Sequence, residues 1–136
     1  MSKLQPLPAS VNNDKNQDIL MFLRGKSAHS DIADVLVEAS APLGDVQLYS
    51  SEPANYGYIV LTTQDVVFAV AYGMSQIGFC LDETFKGRAL ETGGLNATEV
   101  GPDWVTFELF RTNYPAVDLL FWARKAYLIA RAADPS

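Results

Sequence analysis

Apolar residues recur three and four apart over residues 30–39, then alternate with a period of two from Val46 onward, and this switch divides the chain. Ser30 is placed to cap a helix, with Asp31 and Asp34 near the end where the helix dipole favours negative charge. Ile32, Val35, Leu36 and Ala39 form its apolar stripe, and Pro42 and Gly44 stop it. From Val46, short β-rich runs are separated by turn-forming clusters. They predict a strand at 46–48, a loop at 50–55, strands at 58–61, 66–72 and 77–81, and turns at 62–65 and 73–76. In the central run Val67, Ala69 and Ala71 share one face, while Val66, Phe68, Val70 and Tyr72 share the other. Both faces are apolar, so this strand is expected to be covered on both sides.

Asp82 can cap a second, short helix through Phe85 and Leu90, ended by Gly93-Gly94. Gly101-Pro102-Asp103 turns the chain into a strand over 104–110, and Pro115 opens a last helix reaching about Ala132. Two segments stay open: Ile19-Leu20-Met21-Phe22-Leu23 is too short and uniform for a period to classify, and 95–100 is or is not a strand of its own. Residues 1–15 are mostly polar with two prolines and read as a flexible arm. Residues 16–136 then form a single α+β domain, an antiparallel β-meander sheet packed against N-terminal and C-terminal helices.

The last helix carries the most informative surface. At 100° per residue Leu119, Trp122, Ala123, Ala126, Ile129 and Ala130 form a broad apolar face, the alanines suiting close approach to a sheet. Opposite lie Arg124, Lys125 and Arg131, with Phe121 and Leu128 set between the charges. An amphipathic helix does not need large apolar residues there. They mark a protein contact, a homodimer or another partner, unless a loop or the arm covers them.

Charge and chemistry narrow the function classes. Sixteen acids against ten bases leave a net charge of −6, which disfavours nucleic acid as a direct ligand. One histidine, His29, and one cysteine, Cys80, leave no pair for a metal cage, a Cys–His dyad or an internal disulfide, so no metal and no cofactor is expected. Cys80 sits between Phe79 and Leu81 and reads as a packed, inert thiol; His29 reads as an exposed loop residue. The polar first seventeen residues lack the apolar core of a secretory signal, and no apolar run approaches the ~20 residues of a membrane span. A cytoplasmic setting without membrane contact is the corresponding expectation. The alternative to a protein-contact role is a small-molecule-binding protein or enzyme, with an aromatic pocket formed by Tyr56, Tyr58, Trp104 and Arg111.

Several stretches also carry a family likeness in their order along the chain: Pro42-Leu43-Gly44-Asp45-Val46 after the first helix, Val67-Phe68-Ala69-Val70, Ile77-Gly78-Phe79-Cys80-Leu81-Asp82-Glu83 before the short helix, Gly93-Gly94, and the closing helix with Trp122-Ala123. In this layout residues 32–132 resemble the N-terminal domain of the TfoX competence regulators, a family related in fold to the MmcQ/YjbR-like proteins. The resemblance implies an α+β fold and a regulatory role, with no catalytic residue to carry over. Where that family has Arg-x-Met-Phe-Gly-Gly, this chain has Leu48 through Gly57 without the motif. The expected function is therefore a non-catalytic regulatory or adaptor module acting through protein–protein contacts.

Overall fold

The computed structural model describes residues 5–52, 57–73, 76–92, 94–97, 103–108 and 119–132. Its helices are α1 (Gln17–Leu23), α2 (Ser30–Ser40), α3 (Glu83–Glu91) and α4 (Leu119–Ala132). Its strands are β1 (Gln5–Pro6), β2 (Gln47–Ser50), β3 (Ile59–Thr63), β4 (Val66–Tyr72), β5 (Gln76–Cys80), β6 (Leu95–Asn96) and β7 (Trp104–Glu108). They form one sheet in the order β1-β2-β3-β4-β5-β7-β6, antiparallel throughout except for the parallel pair β1 and β2. The α+β class and the meander β2-β3-β4-β5 follow the hydrophobic pattern.

β4 lies at the centre of that order, and all of it beyond Val66 is buried. On one face Leu61, Phe68, Ala69, Ile77, Phe79 and Phe107 pack under α2, α3 and α4. On the other, Tyr58, Val60, Val67, Val70, Tyr72 and Trp104 lie under α1 and the chain that precedes it. The strand is covered on both sides because neither of its faces has polar residues to offer water. An irregularity between Leu61 and Thr62 shifts the β3–β4 register, pairing Leu61 with Ala69 but Thr62 with Val67. Phe68 is thus the extra residue of a β-bulge, which lets it join the face of Ala69 in the first cluster.

The helices show the expected local logic. Asp82 caps α3, its Oδ1 accepting from the Phe85 backbone N–H at 2.9 Å. Ala123, Ala126 and Ala130 are buried beside Trp122, and α4 lies against β3, β4, β5 and α2. The Pro115 start of this helix, like Leu109 and Phe110 at the end of the expected strand, falls outside the described residues. Residues 95–100 yield only the two-residue β6, paired with β7.

Residues 5–15 differ from the reading of an arm with little to bury. Val11 is fully buried, Leu7 packs partly against the same cluster, and Gln5 and Pro6 extend the sheet beside β2. The physical reason is a polar clamp rather than a run of apolar residues. Asn16 is 1% exposed; its Nδ2 donates to the Val11 and Asp65 carbonyls, each at 2.8 Å, and its Oδ1 accepts from Val67 N–H at 2.9 Å. Asn13 adds a bond to the Asp65 carbonyl at 3.0 Å, and the Ser10 hydroxyl donates to Asp65 Oδ1. The clamp holds the β3–β4 turn, where Gln64 and Asp65 both take left-handed backbone, φ 52° and 63°, without a glycine.

Candidate functional site

α1 has two working stripes. Ile19 and Leu23, four residues apart, enter the core. Gln17, Leu20, Met21 and Arg24 stand at i, i+3, i+4 and i+7, so they share a second face of the helix. That face is exposed at Gln17, Met21 and Arg24, with Leu20 packed partly against the core. It forms one wall of a groove of about 600 Å³ whose other wall is the clamped segment at Leu7, Pro8 and Ala9, with Tyr58 also lining it. Met21 is left 71% exposed there. Arg24 is the one charged residue among the described residues that line the groove, and it makes no ion pair among them.

Backbone contacts place Arg24 beside Tyr58. α1 ends as Arg24 leaves helical geometry, and Gly25 turns the chain at φ 80°, a conformation that suits glycine. Lys26 N–H closes the turn on the Leu23 carbonyl at 2.8 Å, and the Lys26 carbonyl accepts from Tyr58 N–H at 3.3 Å. A smaller hollow of about 280 Å³ opens on the far side of this turn, bounded by Lys26, Ser27, Glu52 and Gly57, and Arg24 and Tyr58 line it too. Gly57 is required there, because a Cβ would press on Ser51 Oγ and the Glu52 backbone nitrogen. Lys26 Nζ lies 4.7 Å from the Phe22 ring centre and 5.9 Å from that of Tyr72, two rings that meet edge to face at 5.3 Å. The Tyr58 side chain is mostly buried, and burial pushes its phenol pKa up, so it stands as a neutral hydroxyl.

Of the four residues expected to form an aromatic pocket, Tyr56 and Arg111 lie outside the described residues. Tyr58 and Trp104 share a sheet face and belong to one packed cluster. Register separates them. Tyr58 is level with Tyr72, Gln76 and Glu108, whereas Trp104 pairs with Cys80 at the other end of β5. Three strand spacings across and four residues along the sheet put their backbones on the order of 20 Å apart. Tyr58 opens on both hollows; Trp104 lines neither. The groove stripe on α1 was hidden in the sequence inside an unclassified apolar run, although its i, i+3, i+4, i+7 spacing was there to be read.

His29 is an exposed residue whose backbone N–H donates to the Gly73 carbonyl at 3.0 Å. Burial, with a smaller push from the Asp103 carboxylate, raises the Cys80 thiol from 9.0 to about 11. The thiolate is the reactive form, so the folded protein should resist iodoacetamide at pH 8 and react readily once unfolded in urea. Because the folded state keeps a proton that the unfolded state releases above pH 9, stability should be unaffected below pH 9 and fall from there to about pH 11. Cys80→Ala should remove that component of the alkaline loss; equal pH profiles for the two proteins would refute it.

The second surface feature is the outer stripe of α4. Phe121 is 37% and Leu128 50% exposed, seven residues apart on one helix face. Lys125 between them lies over two rings, 5.3 Å from Phe121 and 5.0 Å from Phe85, and Arg124 is exposed beside it. Phe121 in turn stands edge-on to the buried Trp122 at 4.8 Å. Arg131 is engaged elsewhere, bonding Asp45 Oδ2 and Thr63 Oγ1 at 3.1 Å each.

Among the described residues no group of three or more His, Cys, Asp or Glu side chains is gathered to hold a metal, and no helix is long and apolar enough to cross a membrane. No family model, curated protein or solved structure matches this chain.

Proposed function

We propose that this chain is a regulatory or adaptor module, cytoplasmic and non-catalytic, that acts through a protein contact made by α4. The exposed pair Phe121 and Leu128, on a helix whose opposite face is sealed in the core, carries this reading. The TfoX-like order of elements supports the regulatory part of it. α4 bears no acid, and with Arg131 tied to Asp45 it leaves Arg124 and Lys125 beside the stripe, so its partner is an apolar surface with an acidic rim. A second copy of this chain can supply the apolar part from its own Phe121 and Leu128 and the acidic part from α2. α2 packs beside α4 in the same layer and exposes Asp34 and Glu38. A two-fold contact can therefore lay each α4 across the partner's α2, setting Arg124 and Lys125 near those acids.

Light scattering over a concentration series tests this contact. The wild-type mass should rise toward a dimer, while Phe121→Ser/Leu128→Ser stays monomeric with an unchanged circular dichroism spectrum. A monomer at every concentration for both proteins would overturn the self-association reading.

A further inference from the structure

The groove between residues 7–12 and α1 combines three features that the α4 contact does not use. Its apolar lining includes the half-buried Leu7 and Leu20 and the exposed Met21, and Met21 is the most exposed large apolar residue described. Its volume of about 600 Å³ falls within the range of small-ligand sites. In a chain of net charge −6, its one described charge is a cation, Arg24, with no ion pair among the described residues. Tyr58 lines the same groove, and its hydroxyl makes no hydrogen bond among the described residues. A guanidinium offers only charge-assisted donors, and a phenol O–H adds a neutral one, a combination suited to an anionic head group.

We propose that this groove binds a free single-chain carboxylate of the fatty-acid class, its tail along Leu7, Leu20 and Met21 and its carboxylate on Arg24 and the Tyr58 hydroxyl. Complementarity of charge selects the head group, and the apolar lining selects the tail. The arrangement is largely preformed. The Arg24 backbone is fixed by the Gly25 turn and the Lys26–Tyr58 backbone bond, and the opposite wall by the Asn16 clamp. Binding then orders the exposed Arg24 and Met21 side chains on a backbone already held in place.

The test is an NMR titration of the full chain with sodium decanoate, read at the Met21 methyl and the Leu20 and Leu7 methyls, with decanol and decyltrimethylammonium as matched tails. Decanoate should shift these signals in a saturable way and bind more tightly than either comparison compound. Arg24→Gln, a change at an exposed position, should weaken decanoate by about tenfold or more and leave decanol unchanged. Tyr58→Phe should weaken it by a smaller factor. Decanol binding as tightly as decanoate, or Arg24→Gln without effect on decanoate, would overturn the proposal. So would a titration that leaves the three residues unmoved, or Met21 signals that shift with protein concentration alone, which would put a second copy in the groove.

Discussion

Asn16→Ala is expected to destabilise the protein by about 3 kcal/mol, more than a surface asparagine could cost, because it strands the buried Val67 N–H and removes all three hydrogen bonds by which Asn16 ties two segments together. The Val67 N–H loses its acceptor in the middle of a sheet bulge, where the β3 ladder does not supply another. The Val11 carbonyl loses the Asn16 amide but keeps the Asn13 N–H at 2.9 Å. The Asp65 carbonyl likewise keeps a donor, the Asn13 side chain. Because residues 7–12 owe their position to this clamp, the same change should release the outer wall of the groove and raise hydrogen exchange at the Val67 amide. Urea unfolding measures the first effect and exchange the second. A loss below about 1 kcal/mol would show that the preceding segment holds its place without Asn16.

The contrast between this clamp and the meander explains what was legible in the sequence. β4 and β5 could be read because alternation and turn residues are local: Gly73 takes φ 69° where a turn was expected, and Asp82 caps the helix it precedes. The buried face of α4 could be read for the same reason, since Trp122, Ala123, Ala126 and Ala130 repeat at helical spacing. The position of residues 5–15 could not. It depends on an asparagine reaching a carbonyl 49 residues away, and nothing in a polar, proline-containing stretch announces a distant partner. Nor could α1, seven residues long with an uninterrupted apolar run at its end. The pocket expected at Tyr58 and Trp104 illustrates a further limit. Alternation puts both rings on a face, but only strand order and register tell how far apart they lie, and the placement of β7 between β5 and β6 is a property of the whole sheet. Tyr58 therefore joins a site with α1 residues that were unassigned in the sequence.

Trp122→Ala is expected to cost about 3–5 kcal/mol, whereas Phe121→Ser/Leu128→Ser should cost little, though all three residues lie within two turns of one helix. Trp122 is 5% exposed, stacked at 5.9 Å on the fully buried Phe107, which itself meets Phe79 at 6.1 Å. Removing the indole opens a cavity between α4 and the β5–β7 pair that the neighbouring alanines are too small to fill. Phe121 and Leu128 leave no such void, because much of each side chain already faces water. The difference decides how the α4 contact is to be measured. A variant that loses association by loosening the helix, as Trp122→Ala should, says nothing about the surface. One that loses association with its urea midpoint preserved assigns the contact to the outer stripe. Phe121 also rests edge-on against Trp122, so the two effects are coupled, and the double change should be compared with Leu128→Ser alone. If Leu128→Ser by itself abolishes association at full stability, the contact runs along the exposed stripe of α4; if only variants that also shift the midpoint do so, the stripe is packing and the groove is the remaining functional surface.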